Sequence, residues 1–74
     1  MQLSLNSVDK VKNFVNVISK FEDNIDLISG RCMVDAKSIL GIFSLNLARP
    51  VRIEFNGSEN QDSIKEMLCE FEAV

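Results

Sequence analysis

Seventy-four residues make one small domain, and a composition that is 46% hydrophobic and 26% charged belongs to an ordinary globular chain rather than a disordered, collagenous or membrane protein. Eleven acidic against eight basic residues leave a net charge of −3, the wrong sign for a phosphate backbone or an anionic lipid surface, so neither nucleic acid nor membrane is expected as a partner. There is no histidine, which removes the commonest general base and the usual imidazole metal ligand, and so short a chain has little room for a deep cavity.

The expectation is therefore a protein that is not an enzyme and needs no metal or cofactor. Residues 1–74 read as a single domain, since no composition shift, repeat or low-complexity run divides them and the one proline, Pro50, is not in a linker. The opening Met1-Gln2-Leu3-Ser4-Leu5-Asn6 lacks the basic flank and apolar run of a signal peptide, and no stretch approaches about 18 apolar residues. A cytoplasmic location is expected.

Leu3 and Leu5 alternate with Gln2 and Ser4 at the period of a short, half-buried strand. From Val8 the period changes: Val8, Val11, Phe14, Val15, Ile18 and Phe21 recur at intervals of three and four, the stripe of an amphipathic helix, with Ser7 placed as its N-cap. Lys10, Lys12, Asn13, Asn16 and Lys20 fall mainly on the other faces. Ile25 and Leu27, then Cys32 and Val34, mark two short strands joined at Ser29-Gly30 as a hairpin.

The run Lys37-Ser38-Ile39-Leu40-Gly41-Ile42-Phe43-Ser44-Leu45 is too apolar all round for a surface strand and reads as one or two turns of helix capped by Ser38. Gly41 costs about 1 kcal/mol against alanine inside a helix, so its presence there points to close packing or a tight turn. After Pro50, which cannot donate to a ladder, Val51, Ile53 and Phe55 alternate with Arg52 and Glu54 as a strand that ends at Asn56-Gly57. Ser58 and Gln61 form a capping-box pattern ahead of Ile64, Met67, Leu68 and Phe71, which repeat at helical spacing to the C-terminus.

The order is thus β-α-β-β-α-β-α, an α/β (α+β) open-faced sandwich in which helices cover one face of a four-stranded antiparallel sheet. Cys32 and Cys69 are too few for a disulfide framework and form no CxxC pair, so both are expected as reduced thiols in or near the core. Glu22, Asp23, Asp26 and Asp35 lack the ligand alternation and mid-loop glycine of an EF-hand, and are expected as a solvated acidic surface.

The segment 37–45, the helix end Ile18-Ser19-Lys20-Phe21 before it and the hairpin Ile25-Asp26-Leu27-Ile28-Ser29-Gly30 together resemble the HPr family, the small phosphocarriers of the bacterial sugar phosphotransferase system. The most specific part is Lys-Ser-Ile-Leu-Gly with the Ser-Leu that follows, and the likeness runs without a gap from about Ser7 to Val51. It implies a strand order 1-4-2-3 with three helices on one face.

The resemblance fails at the carrier site. Where the family has Gly-Ile-His-Ala-Arg-Pro, the gap-free register sets Leu5-Asn6-Ser7-Val8-Asp9-Lys10. Ser7 takes the place of the phosphorylated histidine, Asp9 that of the arginine that neutralises the phosphoryl group, and Lys10 that of the helix-opening proline. A phosphoimidazole passes its phosphoryl group on readily, whereas a serine ester is stable and Ser7 has no histidine to deprotonate it. In this respect the chain is similar to the catabolite-repression HPr-like (Crh) proteins, which also lack the carrier histidine.

In HPr and Crh proteins of Gram-positive bacteria, the serine of the Lys-Ser-Ile-(Leu/Met)-Gly stretch is phosphorylated by a dedicated kinase and read by a transcription factor. Ser38 matches that serine, and Ile39, Leu40 and Phe43 resemble the apolar surface that relatives press against protein partners. The resemblance implies a regulatory or protein-binding module switched at Ser38, with a serine kinase and a transcriptional regulator as partners. Plainer readings stand beside it: Ser38 and Ser7 as ordinary helix caps, and Ile39, Leu40 and Phe43 as core. Two further alternatives are a phosphocarrier-type component relaying through Ser7, and an assembly protein using the patch around Leu40, the chain being a monomer or a weak homodimer.

Overall fold

Alternation along Val51–Asn56 produces a strand whose two sides meet different surroundings: Val51 and Ile53 are buried and Phe55 half-buried, while Arg52, Glu54 and Asn56 stay exposed. The computed structural model describes residues 1–57 and 60–73. In chain order it contains β1 (Gln2–Leu3), α1 (Val8–Ile18), β2 (Asn24–Ser29), β3 (Cys32–Asp35), α2 (Ile39–Phe43), β4 (Val51–Asn56) and α3 (Gln61–Met67), followed by a 3-10 turn at Cys69–Phe71. The strands lie in the order β1-β4-β2-β3, every neighbouring pair antiparallel. Fold class, element order and strand order all agree with the expectation.

Register is set by Leu3 against Val51, Leu27 against Ile53 and Leu27 against Val34, which puts the apolar members of each strand on one face. The hairpin closes one residue later than the Ser29-Gly30 junction. Ser29 pairs with Cys32, so Gly30 and Arg31 form the loop, and Gly30 alone of the two has a positive φ, 61°. That is the arrangement of a type II′ turn, which needs glycine at its first central position.

Ser7 caps α1 as its position suggests, its Oγ accepting from the Lys10 amide at 3.2 Å. Val11, Phe14 and Ile18 are buried, but Val8, the first member of the expected stripe, is 55% exposed because the opening turn projects past the edge of the core. The α-helix ends at Ile18. Beyond it the chain tightens into bonds from Lys20 to Val17 and from Phe21 to Ile18, leaving Phe21 half-buried outside the helix.

The C-terminal helix is likewise shorter than its apolar pattern. It stops at Met67, which is 44% exposed, and a 3-10 turn carries Phe71 into the core beside Leu68. Asn60 occupies its N-cap without a side-chain cap bond, and Ser58 of the expected capping box lies outside the described residues. After the turn the chain passes along β1: Ser4 donates to the Phe71 carbonyl at 2.7 Å, Ala73 donates to that of Gln2 at 2.9 Å, and Leu3 bridges Glu72.

The core joins Leu3 and Leu5 of the N-terminal segment to Phe14, Leu27, Ile42, Ile53, Ile64 and Phe71, with Phe14 and Phe71 meeting edge-on at 6.0 Å and 88°. Among the described residues no polar or charged side chain is buried. The expectation of core thiols is corrected: Cys32 and Cys69 are both exposed. Cys32 sits at the turn end of the edge strand β3, where no further element covers it, and Cys69 points away from the stripe that buries Leu68 and Phe71.

Candidate functional site

The five residues of α2 are all apolar or glycine, so a single short helix cannot bury every one of them. Ile42 turns fully into the core and Ile39 is half-buried, while Leu40 is 81% exposed and Phe43 42% exposed. Of the three candidate partner-binding residues, Leu40 and Phe43 thus form the outward surface and Ile39 flanks it from the core side. Exposing side chains of this size costs hydration free energy that a polar residue would avoid.

Ser38 opens that helix. Its backbone is extended (φ −95°, ψ 104°), and its exposed Oγ accepts from the Gly41 amide at 3.2 Å. Asp35 and Lys37 fix the approach: the Lys37 amide donates to Asp35 Oδ1 at 2.9 Å, the Ser38 amide to the Asp35 carbonyl at 3.0 Å, and Lys37 Nζ to the Phe21 carbonyl three residues beyond the end of α1. Gly41 is closely packed as its place in the sequence suggested, since a Cβ there would lie 3.2 Å from Ser38 Oγ and 3.4 Å from Val34 Cβ. At the far end Ser44 Oγ donates back to the Gly41 carbonyl, closing the helix.

Ser7 and Asp9 stand at the start of α1. Both are exposed; the Ser7 hydroxyl is engaged as the cap, and the neighbouring Lys10 Nζ donates to Asn6 Oδ1 at 3.1 Å. Asp9 is the acidic residue of the first turn, where a carboxylate is stabilised by the helix dipole but repels an incoming anion. The acidic residues are scattered into separate bonds, Asp26 with the Asn56 amide and Asp23 with that of Asn60, and no group of acidic or thiol side chains among the described residues could hold a metal ion.

Val8, Met33 and Met67 are exposed apolar side chains that the sequence reading left out of any surface. Met33 was legible from alternation, since it lies between Cys32 and Val34 and must face away from Val34. Val8 and Met67 were not, because each matches a buried helical stripe and is exposed only through where its helix begins or ends.

The family model for the PTS HPr component phosphorylation site matches residues 10–72. It begins just past Ser7 and Asp9. Among solved structures, the chain is similar to the phosphocarrier protein HPr of Bacillus anthracis, at 25% identity over 97% of this chain and 92% of that one, with a TM-score of 0.75. It is similar to an HPr dimer from Thermoanaerobacter tengcongensis at 31% identity over 80% of this chain and 70% of that one, with a TM-score of 0.68. It shares its fold with the catabolite-repression protein Crh of Bacillus subtilis, a domain-swapped dimer, at 24% identity over 100% of this chain and 90% of that one, with a TM-score of 0.70. No curated protein matches the chain.

The chain belongs to the HPr family of the phosphotransferase system. Members of that family serve as phosphocarriers and work through protein partners, and dimers occur among the neighbours in structure. None of the helices among the described residues is long and apolar enough to cross a membrane.

Proposed function

We propose that this chain is an HPr-family module that has lost phosphohistidine transfer and acts in the cytoplasm by binding protein partners, under control of phosphorylation at Ser38. The observation that carries the reading is the outward placement of Leu40 and Phe43 on the helix that Ser38 opens, with Ile42 alone of that helix fully buried. The absence of any histidine, with Ser7 at the carrier position already engaged as a cap, supports the loss of transfer. A phosphate of about −1.5 to −2 charge on Ser38 changes the electrostatics beside the apolar patch while leaving the core untouched.

The test is incubation with the serine kinase of the family and ATP, followed by intact mass measurement. The native chain gains one phosphate and Ser38→Ala gains none. If the native chain stays unmodified, the switch is refuted and unmodified docking remains. The dimers among the structural neighbours favour a second reading, self-association through the same patch. Sedimentation at high concentration separates the two: a dimer that Leu40→Glu dissociates supports self-association, and a monomer unaffected by that change refutes it.

A further inference from the structure

The sheet face that the helices leave bare carries one cross-strand row of Gln2, Arg52, Ile28 and Met33, contributed by β1, β4, β2 and β3. Where that row meets the β2–β3 turn, Gln2, Ile28, Ser29, Gly30, Pro50 and Arg52 line a shallow pocket of about 210 Å³. The guanidinium of Arg52 is exposed and makes no hydrogen bond or ion pair with any described residue.

The other two arginines of the chain adjoin the same pocket. Arg31 follows Gly30 in the turn, and Arg49 precedes Pro50. All three arginines therefore gather at one end of the molecule, whereas the five lysines, Lys10, Lys12, Lys20, Lys37 and Lys65, lie in helices or in the segments beside them and none lies in a strand. In a chain of net charge −3 this confines positive charge to the turn end of a face whose next row, Asp26, Glu54 and Asp35, is acidic. It is also a selective use of the side chain whose planar fork bonds two oxygens of one anion at once.

We propose that this pocket binds a small tetrahedral oxyanion, as free phosphate or as the phosphate of a small phosphomonoester. Arg52 supplies the charged fork, and the Gln2 amide supplies a neutral donor from the neighbouring strand. Arg31 and Arg49 add positive field at the rim. Ile28 and Pro50 contribute apolar walls that keep part of the anion's surface from water and strengthen those bonds. The pocket volume suits an anion of a few heavy atoms and is too small for a nucleotide. The site is on the opposite side of the sheet from α2, so it is independent of Ser38.

Amide chemical shifts of the full chain, followed as sodium phosphate replaces sodium chloride at constant ionic strength and separately with glycerol phosphate, test this. Saturable shifts centred on Gln2, Ser29, Gly30 and Arg52 are expected, and Arg52→Gln raises the half-saturating concentration roughly tenfold or more, since a charge-assisted bond is lost. Arg49→Gln, at the rim, changes it less than about threefold. Tighter binding of glycerol phosphate assigns the site to a phosphomonoester, and tighter binding of phosphate assigns it to the free anion. Shifts that rise linearly, that spread equally over Lys10, Lys12 and Lys20, or that survive Arg52→Gln overturn the proposal; the dispersion of the variant's own spectrum reports that it is folded.

Discussion

Replacing Gly41 by alanine tests whether the Ser38 hydroxyl holds the position described for it. In an ordinary helix interior the change stabilises by about 1 kcal/mol. Here the new methyl lies 3.2 Å from Ser38 Oγ, the atom that accepts from the Gly41 amide, so the hydroxyl must give by a few tenths of an ångström and its cap bond weakens. Loss of a serine cap costs about 1 kcal/mol, so a cap weakened in this way offsets most of the helix gain. Gly41→Ala is therefore expected to be close to neutral and Ser38→Ala to destabilise by about 1 kcal/mol. In the double variant the clash has gone with the hydroxyl, the contact with Val34 Cβ at 3.4 Å is ordinary packing, and the helix gain is recovered. The pair should then be nearly as stable as the native chain, a coupling of about 1 kcal/mol, or roughly 4–8 °C in Tm for a domain of this size. Urea unfolding of the four proteins measures it. Additive effects, with Gly41→Ala fully stabilising in the native background, would refute the cap geometry on which the Ser38 site rests.

Leu40→Glu leaves stability within about 0.5 kcal/mol of native, since its side chain is 81% exposed, whereas Ile42→Ala two positions on costs about 2–5 kcal/mol; thermal unfolding of both checks the division of α2 into a core side and an outward side. Ser7→Ala costs about 1 kcal/mol by chemical denaturation through loss of the α1 cap, and a native protein given phosphoenolpyruvate and the first enzyme of the phosphotransferase system carries no acid-stable label on Ser7. A thiol reagent applied without denaturant modifies both Cys32 and Cys69 at rates close to those of the unfolded chain; protection of either thiol contradicts the exposure described. Phe71→Ala costs about 3–5 kcal/mol, because it empties the edge-on contact with Phe14 and loosens the segment paired with β1.

Local rules carried most of the fold. Period-two alternation placed β4 and period-three-to-four spacing placed α1, and both hydroxyl caps, Ser7 and Ser38, were legible because a cap bond spans only three residues. The unusual composition of 37–45 likewise marked the candidate surface. Which of its apolar residues are outside was not legible: Ile42 is buried and Leu40 exposed only because α2 packs against β3 and α1 along one line. The same holds for Val8 and Met67, whose spacing matches the core while the ends of their helices leave them in solvent, and for Cys32, exposed because β3 is the last strand of the sheet. The return of the chain beside β1 after Phe71, and the meeting of Arg52 with the turn at Gly30 across more than twenty residues of sequence, depend on strand order. Periodicity records which side of an element is apolar, whereas exposure depends on what other elements cover it, and that is decided by contacts between residues far apart in the chain.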